Sequence, residues 1–443
     1  MEVFIENILV YSIVALLVII TFYFYLRSYK KQSKTTLDKI EKAKEFGFNE
    51  PVSLHPVINE SICIGSSACV TACPEQDILG LVSGTVKTIN ASHCVGHGAC
   101  FHACPVEAIT LVIGTEQRGV ELPHVSQSYE TNISGIYIAG ELGGMGLIKN
   151  AVEQGKKAMT NIIADLPNKS KAKYDVIIIG AGPSGISATL TAAKNKKKFL
   201  TIEQDSLGGT VFSFPRAKVV MTSPVELPLH GNIKLRETSK SELLSLWTEV
   251  LEKNNISINE NEKVLEITKT EDYFEVKTNQ DEYTCSKVLL AIGRRGSPRK
   301  LGVPGEGKEK VYYRLLEPEL IKKQNVLVVG GGDSAIETAL LLAEDGSNQV
   351  TLSYRSESFK RAKPKNLEKI NIAKENNSIN VLYNSTVNNI EDTSVELEIN
   401  KEQVLSLDND LVYVFVGGEL PNKFLEKIGV KISKKFGETI LKH

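Results

Sequence analysis

YDVIIIGAGPSGISA, residues 174–188, is an apolar strand-like run that ends in Gly180-x-Gly182-x-x-Gly185 and opens a helix of small residues. The glycines of such a turn allow close approach of the backbone to a pyrophosphate, whose charge lies at the helix N-terminus. Glu203 ends the next apolar run, 18 residues beyond Gly185, where an acid can hold ribose hydroxyls. The stretch therefore predicts a dinucleotide-binding unit.

A second stretch of the same kind, NVLVVGGGDSAIETALLLA, covers residues 325–343 and contains Gly330-x-Gly332-x-x-Ala335. The following run, QVTLSYR, ends at Arg355 without an acid, and Lys360 and Arg361 add positive charge. Basic side chains at this place favour a 2′-phosphate and hence NADPH over NADH, while a solvated basic loop is the other interpretation.

Apolar runs alternate with amphipathic helical patterns from Tyr174 onward, which predicts an α/β class with two Rossmann-like domains. The predicted organisation also includes a small α+β cysteine-rich domain and a transmembrane helix. The expected boundaries are an anchor (1–29), a linker (30–50), the cysteine-rich domain (51–113), a glycine-containing segment (114–168), two nucleotide domains (169–306 and 307–420) and a return segment (421–443).

Six of the seven cysteines crowd between Cys63 and Cys104, which indicates metal chemistry instead of dispersed disulfides. The runs CIGSSACVTACP and CVGHGACFHACP repeat one spacing, and each ends in a proline. They resemble the C-x2-C-x2-C-x3-C-P runs of two-cluster ferredoxins, with Ser66 and His97 at the second position of the two runs. A vestigial ferredoxin fold without metal is the alternative.

In that family the fourth cysteine of each run binds the other cluster. The resemblance implies one site from Cys63, Cys69, Cys104 and Ser66, and another from Cys94, Cys100, Cys73 and His97. Either non-cysteine residue binds iron, or its corner iron is missing and the cluster has three irons. We therefore expect one or two clusters of the 4Fe-4S or 3Fe-4S type.

Nineteen uncharged, mainly apolar residues from Ile8 to Leu26 are long enough to cross a bilayer. Acidic residues precede this stretch, whereas Arg27 and several lysines follow it, so the positive-inside rule places the rest of the chain in the cytoplasm. We expect a single-pass cell-membrane anchor with a cytoplasmic body, and a polar, helix-permissive spacer from Lys30 to Glu50.

The ordered motifs LGGT (207–210), AIG (291–293), GVPGE (302–306) and GGELPNKFLEKIGV (417–430) resemble the thioredoxin-reductase-like pyridine nucleotide flavoproteins, including their ferredoxin–NADP reductase branch. The resemblance implies FAD as cofactor and adds three residues to its site: Gly209, Thr210 and Gly293. Members of this family are commonly dimers, which leaves a homodimer open.

One family segment stands out of order. TNISGIYIAGELGGMGLIKNAVEQGKKA, residues 131–158, resembles the late T-x-x-x-G-x-x-x-A-G-D segment that places an acid on the flavin's ribityl chain. Here it precedes the first glycine turn, with Gly140 and Glu141 at the matching positions. We interpret this order as a circular permutation behind the fused ferredoxin-like domain; an unrelated glycine-rich loop is the alternative.

The expected function is electron transfer from NAD(P)H through FAD to iron–sulfur clusters and an unidentified acceptor, with no acid–base catalyst. Residues 310–326 lack the C-x-x-C of thioredoxin reductases, and Ser184 stands where bacillithiol disulfide reductases have a cysteine. A thiol or disulfide reductase and a membrane redox sensor without turnover are the competing functions. With 52 basic and 53 acidic residues, nucleic acid is not an expected partner.

Overall fold

The computed structural model describes the chain except residues 1, 46, 52, 76, 95, 97, 145, 213–218, 222–223, 234–236, 295–297, 360–361 and 442–443. It forms two compact units, residues 1–120 with 434–443, and residues 121–433. The chain passes from one unit to the other twice, within strand Val120–Pro123 and within strand Ile432–Lys435.

The first unit begins with one continuous helix, Glu2–Glu45. An 18-residue window within it has a mean hydropathy of 1.7, so by length and composition the helix can span a membrane. Its second half covers most of the predicted spacer, and Ser33, Thr36 and Ala43 on it are buried. Thr36 packs against strand Leu79–Val82, where a Cβ added to Gly80 would lie 2.7 Å from the Thr36 methyl group.

The rest of the first unit contains short helices and antiparallel strands. Each cysteine run contains one short helix, Ala68–Ala72 in the first run and Ala99–Ala103 in the second, and a 3₁₀ turn covers Ala91–His93. Strands Leu79–Val82 and Thr85–Thr88 form a hairpin. A three-stranded sheet has the order Leu54–Ile58, Ile109–Ile113, Glu438–Leu441.

The last strand of that sheet corrects part of the predicted return segment. Helix Asn422–Lys427 and the following residues do bury Leu425 and Val430 in the core of the second unit. Glu438–Leu441, however, pairs antiparallel with Ile109–Ile113 in the first unit. Its backbone completes the edge of the three-stranded sheet, a tertiary pairing that the local sequence pattern does not specify.

The second unit contains a six-stranded sheet around the first glycine turn, as the apolar run of residues 176–179 predicts for a strand buried on both faces. Its strands are Val264–Lys269, Phe274–Thr278, Glu282–Leu290, Tyr174–Ile179, Phe199–Ile202 and Ile136–Ile138. Helices Pro183–Lys194, Ile148–Ala164 and Lys240–Lys253 accompany this sheet, and short strands cover Val219–Met221, Val225–Leu227, Gly231–Ile233 and Glu237–Ser239.

A five-stranded parallel sheet surrounds the second glycine turn. Its strands, in spatial order, are Val311–Tyr312, Leu411–Val414, Asn325–Val329, Gln349–Ser353 and Ile379–Leu382. Helices Asp333–Ala343 and Pro364–Glu375 bury apolar residues against it. An antiparallel sheet of Ser385–Ile390, Ser394–Ile399 and Gln403–Asp408 lies beside it, and the α/β prediction is thereby confirmed.

The out-of-order segment lies in the six-stranded sheet. Ile136–Ile138 pairs in parallel with residues 288–290, and the Ala139 amide donates to the Leu290 carbonyl over 3.1 Å. Helix Ile148–Ala164 crosses helix Pro183–Lys194 so closely that a Cβ added to Gly155 would lie 2.0 Å from the Ser184 carbonyl oxygen. Segment 131–158 thus contributes a strand to the sheet that carries the first glycine turn and packs its helix on the helix after that turn.

Candidate functional site

The first glycine turn connects strand Tyr174–Ile179 to helix Pro183–Lys194. Gly180 has a φ of +104°, and a Cβ there would lie 2.5 Å from the Ala291 carbonyl oxygen. At Gly185 a Cβ would lie 1.8 Å from the Gly180 carbonyl oxygen, so helix and strand touch backbone to backbone. At Gly182, by contrast, no described atom lies within 4 Å of an added Cβ, which leaves room for a ligand beside the backbone.

Glu203 follows strand Phe199–Ile202 and is tied to this turn. Its carboxylate accepts hydrogen bonds from the Ala181 amide at 2.7 Å and the Asp205 amide at 3.0 Å. Burial raises the pKa of Glu203 above its ordinary value, and the two amide hydrogen bonds oppose that shift. The acid is therefore held in one orientation next to the glycine turn.

Two further predicted segments meet the first glycine turn. The Gly208 amide donates to the Ala181 carbonyl over 2.9 Å, and a Cβ added to Gly209 would lie 3.4 Å from the Gly182 Cα. Thr210 follows, half-buried, in the same segment. From the out-of-order segment, a Cβ added to Gly140 would lie 3.0 Å from the Ser184 Cβ. The fold thus gathers predicted residues that are far apart in the sequence.

The helix after this turn has buried hydroxyls without a partner in the part of the chain that the structure describes. Among the described residues, the Oγ atoms of Ser184 and Ser187 are buried and have no hydrogen-bond partner. Ser184 lies in the first turn of helix Pro183–Lys194, where backbone amides also lack intrahelical acceptors. A ligand with anionic oxygens, such as the pyrophosphate of FAD, fits the unused donors of the first helical turn, which are the Ser184 hydroxyl and the backbone amides.

Arg294 is a charged residue that our sequence reasoning missed. It directly follows Gly293, which has a φ of +68°. Burial lowers the pKa of Arg294, and the nearby charges of Glu141 and Glu121 oppose that shift. Its position after the AIG motif, in IGRR, was the only signal available in the sequence.

The second glycine turn has the same backbone arrangement as the first, but different side chains lie next to it. A Cβ added to Gly330 would lie 2.4 Å from the Phe415 carbonyl oxygen, and Gly332 caps helix Asp333–Ala343 without a side-chain hydrogen bond. Ala335 is fully buried. The Tyr354 ring occupies the space beside Gly331, where a Cβ would lie 2.2 Å from it.

Basic charge near the second turn comes from Arg355, which is exposed just beyond strand Gln349–Ser353. Lys360 and Arg361 lie outside the described residues. The Asp333 carboxylate accepts hydrogen bonds from the Lys363 amide at 2.8 Å and the Asn366 side chain at 2.7 Å. These bonds fix the segment after the basic residues against the start of the helix.

The two cysteine runs meet in the first unit. One pocket is lined by residues of both runs, and its polar or sulfur-bearing side chains are Cys63, Ser66, Cys69 and Cys104. Cys69 also interacts electrostatically with Cys63 and Cys104. The structure therefore brings together the four residues predicted for one crossed ligand set.

The second set is more deeply buried. Cys94 interacts electrostatically with Cys73, and Cys100 interacts with both. Burial raises the pKa of Cys94 to about 11 and that of Cys100 to about 12. Their thiolates need a compensating positive charge, which iron supplies when it binds. His97 lies outside the described residues, so its place in this set stays a prediction.

Backbone donors surround the sulfurs, a feature that the sequence did not reveal. The amides of Val86, Gly96 and Ala108 donate to the sulfurs of Cys63, Cys94 and Cys104, respectively, at 3.4, 3.4 and 3.2 Å. Such bonds stabilise cluster thiolates and tune their reduction potential. Glu75 adds negative charge near Cys73 and Cys94.

Among the described residues, no three His, Cys, Asp or Glu side chains are grouped to hold a single metal ion. The ligands of an iron–sulfur cluster lie farther apart than those of a single metal ion, because each thiolate binds a different iron of one inorganic core. Outside these runs, Cys285 is fully buried, and burial raises its pKa to about 12, as expected for an inert core thiol.

Two dinucleotide turns, each at the end of a strand with parallel neighbours in its own sheet, together with two crossed cysteine sets define an FAD- and pyridine-nucleotide-dependent oxidoreductase that carries a ferredoxin-like domain. The chain belongs to the pyridine nucleotide-disulphide oxidoreductase family, whose model matches residues 177–442. Residues 55–105 match the model of the 4Fe-4S dicluster domain.

The chain is similar to bacilliredoxin reductases and to ferredoxin–NADP reductases, among other flavoproteins. The bacilliredoxin reductase Bdr of Bacillus subtilis (strain 168) is 30% identical over 266 residues, which cover 59% of this chain and 82% of that protein. A ferredoxin–NADP reductase of Pediococcus pentosaceus is 32% identical over 260 residues, 57% of this chain and 76% of that protein. The structure of the bacillithiol disulfide reductase Bdr (YpdA) from Staphylococcus aureus matches with 26% identity and a TM-score of 0.50, covering 59% of this chain and 81% of that one.

Proposed function

We propose that this protein is a membrane-anchored NAD(P)H-dependent flavoprotein oxidoreductase that passes electrons through FAD to its own iron–sulfur clusters and on to an acceptor. The observation that carries the proposal is the pocket in which Cys104 of the second run joins Cys63, Ser66 and Cys69 of the first. This crossing is the ligand pattern of two-cluster ferredoxins.

The residues around the first turn are assigned to FAD, which when bound supplies the conversion between hydride and one-electron chemistry. Gly180, Gly182 and Gly185 let the backbone approach the pyrophosphate, and the Ser184 hydroxyl is available to donate to it. Glu203 is held for the ribose, and Glu141 is assigned to the ribityl side. The remaining assigned residues are Gly140, Gly209, Thr210 and Gly293.

Gly330, Gly332 and Ala335 are assigned to the nicotinamide nucleotide, and Arg355 and Arg361 to its 2′-phosphate. The exposed guanidinium of Arg355 presents several donors to solvent, which suits a phosphate better than a ribose hydroxyl. We therefore propose NADPH as the preferred donor.

The place of residues 131–158 in the six-stranded sheet supports a circularly permuted FAD domain, because a parallel strand and its following helix precede the first glycine turn in the chain. The apolar half of helix Glu2–Glu45 supports a single membrane span, with the positive charge after Leu26 favouring a cytoplasmic body.

A disulfide reductase is the second candidate, favoured by the similarity to bacilliredoxin reductase. Ser184 weighs against it, because a serine hydroxyl does not form the mixed disulfide of thiol–disulfide exchange.

The test is anaerobic reduction of the full-length protein by NADPH, followed by absorbance and electron paramagnetic resonance. We expect the flavin band to bleach and a cluster signal to appear or change. Flavin reduction in a protein without iron, combined with turnover of low-molecular-weight disulfides, would transfer the assignment to the second candidate.

Ser66→Cys sharpens this test, because it restores a thiolate at a corner of the first pocket. We expect the variant to shift the resonance spectrum from a three-iron toward a four-iron type. Cys285→Ala is the matched control, since that buried sulfur lies in the core of the six-stranded sheet, and its spectrum should equal that of the wild type.

A further inference from the structure

In the first unit, the first strand of the hairpin, Leu79–Val82, runs antiparallel to the N-terminal helix. Ser83 donates its amide to the Ser33 hydroxyl over 3.1 Å, and Lys39 forms an ion pair with Asp77. A Cβ added to Gly80 would lie 2.7 Å from the Thr36 methyl group. As the helix proceeds, its contacts therefore move from the hairpin turn back toward the start of the hairpin.

The hairpin turn is consequently at the membrane end of the helix. A Cβ added to Gly84 would lie 3.3 Å from the Tyr29 hydroxyl oxygen. Tyr29 is three residues beyond Leu26, the end of the apolar stretch, which corresponds to about 5 Å along a helix. The headgroup layer on each side of a bilayer is about 5 to 7 Å thick, so with the helix as the proposed anchor this turn would lie at headgroup depth.

The first cysteine loop touches the same turn. A Cβ added to Gly65 would lie 2.1 Å from the Gly84 carbonyl oxygen, so the two backbones are in contact. On either side of Cys63, Ile62 is 46% exposed and Ile64 is 64% exposed. Ile64 also lines the pocket of Cys63, Ser66 and Cys69.

We propose that the cysteine-loop tip, defined as residues 62–66 with Ser83 and Gly84, contacts the lipid headgroup layer through Ile62 and Ile64. Two exposed isoleucines beside the end of a membrane span bury apolar area in the acyl boundary. Arg27, Lys30, Lys31 and Lys34 add attraction for anionic headgroups at this end of the helix. The inference rests on the proposed membrane anchor, and it makes the first cysteine pocket the membrane-proximal one.

The experiment is quenching of tryptophan fluorescence by brominated phospholipids, with the full-length protein reconstituted in vesicles. Ile64→Trp reports the tip, Tyr25→Trp reports the span, and Glu45→Trp reports the far end of the same helix, about 28 Å beyond Leu26. All three positions are exposed, and the natural Trp247 is only 1% exposed, so the wild type provides a constant background.

We expect the loss of fluorescence for Ile64→Trp to fall between the large loss for Tyr25→Trp and the background-level loss for Glu45→Trp. If Tyr25→Trp is quenched and Ile64→Trp stays at the Glu45→Trp level, the tip contact is wrong while the anchor stands. If Tyr25→Trp itself is not quenched, the anchor fails and the tip contact fails with it.

Discussion

The two glycine turns share a backbone plan but differ at the third position. Gly185 of the first turn touches the Gly180 carbonyl so closely that a methyl group there would overlap it, at 1.8 Å. In the second turn a real methyl group, that of Ala335, is fully buried at the corresponding place. The strand and helix are therefore packed more tightly in the first turn, where FAD is assigned.

Their surroundings differ in charge as well. The first turn has the buried carboxylate of Glu203, held by two amides, whereas the second has an aromatic ring at Tyr354 and the exposed guanidinium of Arg355. On the proposed assignment, one fingerprint serves two nucleotides, and the residue after the second strand distinguishes the two sites.

Gly185→Ala should have the largest effect, because the added methyl group meets backbone and not a flexible side chain. We expect a loss of folding free energy of about 3 kcal/mol, the upper end for overpacking, together with loss of bound flavin. Urea unfolding and the flavin-to-protein absorbance ratio measure both. Full flavin content with unchanged stability would contradict the tight crossing.

Glu203→Gln should have the second-largest effect, a loss of flavin affinity. The amide side chain keeps one acceptor but turns a donor toward the Ala181 or Asp205 amide, and it removes the charge. Loss of the charge-assisted hydrogen bond proposed between the Glu203 carboxylate and the FAD ribose costs about 2 kcal/mol. We therefore expect flavin affinity to fall roughly thirtyfold. Titration of the apoprotein with FAD provides the measurement.

Glu262→Gln is the matched control for Glu203, since Glu262 is also buried in the second unit but bonds to Thr278 and Asn259. It should lower stability without lowering FAD affinity. Equal loss of affinity in both variants would mean that Glu203 acts only through the stability of the fold.

Arg355→Gln tests the charge difference between the turns. We expect KM for NADPH to rise about tenfold and KM for NADH to stay unchanged, because only NADPH has the 2′-phosphate. Arg299→Gln, at another exposed arginine of the second unit, should leave both constants unchanged. A parallel rise for both nucleotides would remove Arg355 from the phosphate site.

Ala335→Gly should have the smallest effect and is the reciprocal of Gly185→Ala. Glycine inside a helix costs about 1 kcal/mol relative to alanine, and the turn gains no clash. We expect a small loss of stability with full flavin content. A loss as large as that of Gly185→Ala would show that the two crossings are equally tight.

The sequence by itself determined the two strand–turn–helix units. Their signals are local: an apolar run, glycines at a fixed spacing, and an acid or a base at the end of the next run, as at Glu203 and Arg355. The repeated spacing of the two cysteine runs is local in the same sense, and its resemblance to two-cluster ferredoxins implied the two ligand sets.

Only the tertiary structure decided which distant segments meet. The contact of Cys104 with the Cys63 pocket depends on how helices Ala68–Ala72 and Ala99–Ala103 pack. The place of Ile136–Ile138 in the six-stranded sheet and of Glu438–Leu441 beside Ile109–Ile113 depends on strand pairing across long sequence separations. Arg294 is likewise buried near the charge of Glu141 only in the folded chain. Burial and proximity of charges depend on packing and not on local spacing.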